Sequence, residues 1–394
     1  MRFKTLWLAA GLTGICQSTA IYALNSSLTV DLELTGFPSV ESDSAAFTED
    51  ASIGLLYEFQ NSFNDGNTIF SLTPFYRWDD QDDERSHGDI RELNLLHVHG
   101  NWEFLFGVGK VFWGVAESNH LIDIVNQTDL LEGFDGEDKL GQPMIRASRS
   151  FDQSTLTLFV LPGFRKREFL SPDNPLGFPF TVANEARYES SDEESHVDFA
   201  VRYSGYADIV DYGFSFFTGT AREPLFVAGD RQGQLIAFYP QMDQFGVDIQ
   251  ITNDAWLWKL EAVRRELSND GYTAAVGGLE YSLFGLSDGA YDLGLLAEYH
   301  LDDRSGPSQS NFQNDLFAGM RFSWNDAEST ELLAGGFMDQ DDQSMSFRVE
   351  ASRRMPGDIK LSVEAQSFPN VDPGKTGFSF RNSDFVRLTL EAFF

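Results

Sequence analysis

Cysteine is almost missing from this 394-residue chain, and its single copy, Cys16, lies in the N-terminal stretch. Arg2 and Lys4 precede an apolar run from Leu6 to Ile15, and small residues follow at Ser18, Ala20 and Ala23. That pattern predicts a signal peptide over residues 1–23, cut after Ala20 or Ala23, which would remove Cys16 as well. Ile15 stands where a lipidation site needs a small residue, so lipid attachment at Cys16 is disfavoured. Without the leader the chain holds no disulfide, and its stability must come from hydrogen bonds and packing.

Long apolar runs are also missing. No segment after the leader approaches the roughly 18 apolar residues of a membrane helix. Positive charge is scarce: 28 Lys and Arg face 61 Asp and Glu, a formal net charge of -33. A phosphate backbone attracts basic surfaces, so nucleic acid is excluded as a partner. The acid is clustered, at Asp79, Asp80, Asp82, Asp83 and Glu84, at Glu189, Asp192, Glu193 and Glu194, and at Asp339, Asp341 and Asp342. Runs of this kind mark solvated connections.

What the chain does contain is aromatic residues, 14% with 36 Phe, at a mean hydropathy of only -0.26. Membrane barrels combine the two because lipid-facing and interior residues alternate along each strand. Alternating segments recur at 27–36, 52–61, 68–77, 90–99, 102–113, 142–151, 154–162, 196–206, 211–220, 243–252, 256–266, 272–284, 290–301, 314–325, 330–339, 345–355, 359–368 and 384–394. These eighteen segments, with sixteen as the alternative count, mostly have the 9 to 11 residues that a tilted strand needs to cross a membrane.

The connections form two sets. One set is short and includes His99 to Asn101, Asp152-Gln153, Thr252 to Ala255, Asn325 to Ser329 and Pro356 to Asp358. The other holds every long connection, near 36–51, 78–89, 114–141, 163–195, 221–242, 302–313 and 369–382. Short periplasmic turns opposite long extracellular loops are the asymmetry of an outer-membrane barrel. The fold expected is therefore all-β: one transmembrane antiparallel up-and-down barrel domain over residues 24–394, in the outer membrane of a Gram-negative bacterium. Its final strand sets Val386, Leu388, Leu390, Ala392 and Phe394 on an apolar face, and Phe385, Arg387, Thr389, Glu391 and Phe393 on the other. A terminal strand ending on Phe394 is the type that barrel-assembly machinery reads. Outer-membrane lipids, lipopolysaccharide and small solutes complete the expected partners, and nothing in the sequence sets an oligomeric state.

Alternation also sorts the charged residues. Arg202, Lys259, Glu261, Glu298, Arg321, Arg348, Glu350, Lys360, Glu364, Arg387 and Glu391 fall on interior faces and are the pore-lining candidates. Charges of both signs fit an aqueous lumen, for which 16 to 18 strands give room. The competing reading is a ladder of structural ion pairs, with Lys259 beside Glu261 and Arg348 beside Glu350.

The most distinctive segment is 107–146. Ser118 can cap a helix, and Leu121, Ile124, Val125 and Leu131 recur at helical spacing. Acidic residues occupy the remaining positions. A connection this long in a compact domain is usually functional. It is expected to fold inward as a constriction loop over 114–141, with Glu117, His120, Asp123, Asp129 and Glu132 facing wall arginines such as Arg146 and Arg202. The other reading is an extracellular cap. In the second large connection, Arg165, Lys166 and Arg167 would either attract anions at the rim or pair with the connection's own acids.

No cofactor, metal or catalytic motif stands up. Gly374-Lys375-Thr376 lacks the first Gly of a phosphate loop, since position 369 is Pro. Asp339, Asp341 and Gln343 lack the Gly and distal Glu of an EF-hand. The six histidines are scattered, and no Ser, His and acid group is visible as a hydrolytic cluster.

The segments KVFWGVAESNHLIDIVNQTD, DGEDKLGQPM, YPQMDQFGVDIQ with WLWKLEAVRRE, and FQNDLFAGMRFSWNDAESTELLAG, together with the C-terminal strand, give a resemblance across nearly the whole mature chain. The sequence resembles an uncharacterised family of proteobacterial outer-membrane β-barrel, porin-like proteins. The resemblance implies the barrel fold and carries over no substrate. Function is thus expected to be passive or substrate-biased passage of small polar solutes. The alternative is a barrel in a transport system for hydrophobic or lipid-like molecules, with Leu121, Ile124, Val125 and Phe134 lining an apolar path. A barrel hydrolase is the least favoured, and no enzyme activity is expected.

Overall fold

The computed structural model describes residues 25–40, 46–133, 135–231, 233–268, 270–304, 310, 312–371 and 376–394, so the expected leader lies outside the described residues. In chain order the strands are β1 (Asn25–Gly36), β2 (Glu49–Phe63), β3 (Thr68–Asp79), β4 (His87–His99), β5 (Trp102–Gly109), β6 (Gln142–Ser150) and β7 (Ser154–Pro162). Then follow β8 (Thr181–Tyr188), β9 (Val197–Ala207), β10 (Val210–Thr220), β11 (Leu225–Ala228), β12 (Gln234–Tyr239), β13 (Gln241–Asn253) and β14 (Trp256–Leu267). The last are β15 (Asp270–Gly285), β16 (Tyr291–Asp302), β17 (Asn314–Trp324), β18 (Glu331–Asp339), β19 (Met345–Met355), β20 (Ile359–Asn370) and β21 (Phe385–Phe393).

Eighteen of these form one antiparallel sheet, and each of the eighteen segments expected from alternation is a strand of it. The sheet closes on itself. β1 pairs with β21 in a register that sets Val30 opposite Ala392 and Leu34 opposite Leu388. Leu28 and Phe394 seal the seam by exchanging two backbone hydrogen bonds of 3.0 and 2.9 Å. In hydrocarbon every backbone N–H and C=O must be paired internally, and a closed ring leaves no edge to violate that. The chain therefore has the architecture of a transmembrane up-and-down β-barrel.

The outer surface is apolar. Along β14, Trp256, Trp258 and Leu260 are exposed while Glu261 and Val263 between and beside them are buried. β16 repeats the pattern, with Leu295, Tyr299 and Leu301 exposed against Leu296, Glu298 and His300 buried. Exposed aromatics sit near both ends of the strands: Tyr206, Trp256 and Trp324 toward the short turns, Trp78 and Tyr299 toward the long connections. These are the two amphipathic girdles that a membrane interface selects.

Three expectations need correction. The fifth strand was expected to reach residue 113 but stops at Gly109, from which the chain leaves the sheet. At Gly107, whose φ is +129°, a Cβ would lie 2.1 Å from the Leu93 carbonyl oxygen, so only glycine allows the two strands to approach there. The helix expected from Ser118 does not form: residues 118–131 are bends and turns around a bridge from Thr128 to Lys139. Their apolar spacing instead serves an irregular backbone whose polar groups are satisfied by the barrel wall. Finally, the long connections carry structure of their own, because β11 and β12 pair antiparallel and β12 runs parallel to β8.

Candidate functional site

Residues 110–141 make their contacts with interior faces of the barrel. An irregular backbone has no ladder to satisfy its N–H groups, and burial makes each unpaired one costly. Two interior carboxylates supply the acceptors. Glu261 takes the N–H groups of Val115, Ala116 and Ile122 at 2.6, 2.9 and 3.2 Å. Glu298 takes those of Glu117 and Ser118 at 2.7 and 2.9 Å. Carbonyl groups of the segment are met in turn by basic or amide side chains. Arg222 donates to Val125, Arg265 to Leu121 and Gln244 to Ile122.

Charged side chains add a second set of ties. Glu117 lies 2.5 Å from Arg321 on β17 and 3.4 Å from Lys259 on β14. Although burial works against its ionised form, hydrogen bonding and charge from Arg321, with help from Lys259, hold its carboxyl below the usual range. Asp129 is 2.7 Å from Arg91 on β4, and Glu132 is gripped by Arg77 on β3. Asp135 reaches Arg348 on β19 at 2.6 Å. Asp123 is met from within the segment by Lys139, at 3.1 Å. His120 Nε2 donates to the Glu137 carboxylate at 2.8 Å.

The apolar residues of the segment face the other way. Leu121, Ile122, Ile124 and Val125 are buried together with Leu105, Met144, Phe159, Phe217, Met242 and Val263. One part of the interior, along β5 to β7, β9, β10 and β13 to β15, is thus a packed hydrophobic core rather than the wholly charged, wet wall expected. Leu121, Ile124 and Val125 do not line an open path, and Phe134 lies outside the described residues.

The remaining wall candidates form local pairs. Arg202 is held by Asp248 at 2.5 Å, and Arg146 by Glu103 at 3.8 Å, so the two arginines expected to face the segment's acids have partners on the wall itself. Arg348 also lies 2.6 Å from Glu350 and 3.1 Å from Glu364. Lys360 pairs with Glu391, and Arg387 with Glu33 and Glu364. Lys259 and Glu261, which the competing ladder reading would pair with each other, instead both bind the 110–141 segment. The basic cluster of the second connection does not pair with that connection's own acids: Arg165 binds Asp89 at 2.7 Å, Lys166 the Asn184 carbonyl, and Arg167 the Gln127 side chain.

Sequence reasoning missed Arg77, Arg85, Arg91, Arg222 and Arg265. The first and third were within reach of it: Arg77 follows exposed Tyr76, and Arg91 follows exposed Ile90, so alternation puts both inside. Arg265 was within reach too, since the β14 alternation that buries Glu261 and Val263 puts it inside. Arg222 gave no comparable signal, because its role is to meet a carbonyl group of a segment distant in sequence.

Two clusters invite a chemical reading. Ser118 Oγ lies 2.8 Å from His300 Nε2 and 2.5 Å from Glu298. In a hydrolytic triad the acid orients the histidine through Nδ1. Here the acid holds the serine and the segment's amides, and His300 Nδ1 has no hydrogen-bond partner among the described residues, so the geometry is that of an anchor. Asp50, Asp79 and Asp80 have carboxylate oxygens within 4.8 Å of one another, but Arg85 already bridges Asp50 and Asp79 at 3.2 and 2.9 Å.

Toward the long-connection end, between this segment, residues 167–178 and the wall of β17 to β20, lies a cavity of about 880 Å³. Gly335 helps to make room for it: a Cβ there would fall 2.6 Å from the Phe317 ring.

The fold is shared with solved outer-membrane proteins. OccAB3 of Acinetobacter baumannii superposes with a TM-score of 0.54 at 10% identity, over 94% of this chain and 99% of that one. A BenF-like porin from Pseudomonas fluorescens gives 0.56 at 8% identity, over 94% and 98%. Wzi of Escherichia coli, described as a carbohydrate-binding β-barrel involved in group 1 capsule assembly, gives 0.56 at 10% identity, over 93% and 84%. No protein-family model matches the sequence, and no curated protein matches it. What the chain shares with these structures is the closed β-barrel fold.

Proposed function

We propose that this protein is an outer-membrane channel of the porin type for passive or substrate-biased passage of small polar solutes, and that residues 114–141 act as its constriction loop. The observation that carries this reading is the set of ties from one segment to several sides of the ring. Glu117 reaches Arg321, Glu132 reaches Arg77 and Asp135 reaches Arg348. A segment fixed on β3, β17 and β19 lies across the lumen and narrows it. Eighteen strands give a ring wide enough to hold water beside such a segment.

In this reading Arg348, Glu350, Lys360, Glu364, Arg387 and Glu391 flank the wet side, and Glu117, Arg321 and Lys259 set the charge at the narrowest part. The C-terminal strand would present Phe394 to the assembly machinery, and the apolar outer surface would meet lipid and lipopolysaccharide. Packing of Leu121, Ile124 and Val125 into a closed cluster favours polar over lipid-like cargo.

Liposome swelling with small sugars and amino acids, together with reversal potentials in planar bilayers, tests the proposal. Swelling and measurable conductance are expected. Purified, folded barrels that admit neither ions nor sugars would overturn it.

A further inference from the structure

We propose that the cavity at the long-connection end is a binding site for small amphipathic cations, molecules with an apolar or aromatic body and an ammonium head. This deepens the channel reading by naming a class of solute, and it rests on that reading for the solute's onward passage.

Barrel interiors are ordinarily polar, yet this cavity is lined by Phe169, Phe178, Phe312, Phe317, Phe337 and Phe380, among others. The rings form two banks. At the wall, Phe337 on β18 stands 5.0 Å from Phe317 on β17 and 4.9 Å from Phe312, just before β17, centroid to centroid. On the connections, Phe178 stands 5.9 Å from Phe169 and 6.1 Å from Phe380. A volume of about 880 Å³ lies in the range of about 300–1,000 Å³ found for sites that hold small organic molecules.

Charge decides the sign of the head group. The lining carries the carboxylates of Glu117, Asp135, Glu137, Asp315, Asp339 and Glu350 against two arginines and one histidine. Arg348 has no charge to spare for an anion, being surrounded by Asp135, Glu350 and Glu364 within 3.1 Å. Arg167, whose Nε donates to the neutral Gln127 side chain at 2.9 Å, keeps its charge, and the six carboxylates of the lining outweigh it. Carboxylates beside ring faces attract a cation twice, through charge and through the ring quadrupole, and both effects repel an anion.

Isothermal titration of the full-length, detergent-solubilised barrel with benzylammonium, benzoate, benzyl alcohol and methylammonium tests the site. Benzylammonium is expected to bind about tenfold more tightly than each of the other three, within the range of one desolvated cation–ring contact plus charge. Phe337→Ala should weaken benzylammonium about fivefold, and Glu350→Gln should weaken benzylammonium while leaving benzyl alcohol unchanged. Benzoate binding as tightly as benzylammonium, or indifference to both substitutions, overturns the proposal. Bilayer currents separate it from the channel reading. A conducting barrel that ignores benzylammonium sinks the site and leaves the channel; a barrel that binds it but conducts nothing sinks the channel and leaves the site.

Discussion

Arg77 and Glu132 form a two-pronged pair: Nε donates to one carboxylate oxygen at 2.8 Å and Nη2 to the other at 2.7 Å, with both side chains buried. Arg77 belongs to β3 and Glu132 to the segment between β5 and β6, so this fork ties that segment to an interior face of the wall. Fork-to-fork geometry fixes orientation as well as distance. Glu132→Ala removes the grip but leaves Arg77 its contact with Asp31 at 3.0 Å. The cost expected is about 1–3 kcal/mol, the penalty for a partly unsatisfied buried charge. A lowered thermal unfolding midpoint in detergent, with noisier open-channel current, is the outcome to look for.

Glu117 pairs with both Lys259 and Arg321, and Arg321 also lies 3.5 Å from Glu280. Glu117→Gln should remove one negative charge beside these two cations at the proposed constriction and make the field on passing ions more positive. The reversal potential across a potassium chloride gradient is expected to move in the direction of greater anion permeability. A shift toward cations would show that these residues do not border the ion path.

Glu261 accepts three backbone N–H groups of the lumen segment. Glu261→Leu leaves all three without an acceptor, whereas Glu261→Gln retains one acceptor oxygen. Limited proteolysis should therefore cut between residues 114 and 123 fastest in the Leu variant, more slowly in the Gln variant and least in the parent protein.

Acidity should tighten the segment. Burial, with the neighbouring charges of Glu132 and Asp135, pushes the Asp138 carboxyl up to about 6. A carboxyl whose value is raised on folding gives stability that is whole below its ordinary value near 3.8 and is lost as pH rises through about 6. His120 acts in the same direction: burial opposes its charge, but Glu137 outweighs burial and raises it, so its contribution also fades as pH rises. Open-channel noise is expected to grow between pH 5 and pH 7.5 on the order of one titration step, and Asp138→Asn should flatten that dependence.

The barrel was legible in the sequence because each strand must repeat one simple rule, apolar out and polar in, and Trp256 to Val263 or Leu293 to His300 display it without reference to any other part of the chain. The interior ladder from Arg348 to Glu364 followed from the same rule. The lumen segment was only half legible. Leu121, Ile124 and Val125 announced burial, but their spacing suggested a helix. What replaces helical hydrogen bonds is a set of distant acceptors, Glu261 and Glu298, more than 130 residues away, and no local pattern encodes such partners. Arg222 escaped notice for the same reason. The Phe-lined cavity was hidden as well, since Phe317 and Phe337 on paired β17 and β18 line it with Phe169 and Phe178, more than 130 residues away, only in the folded ring.

The most direct test of the account is single-channel conductance of the parent barrel against a variant lacking Ser118 to Glu132. A segment tied across the lumen by Glu117, Glu132 and Asp135 predicts a small parent conductance that rises severalfold on deletion, with the variant barrel still folded. Equal conductance in the two folded proteins would contradict the constriction, and silence in both would contradict the channel.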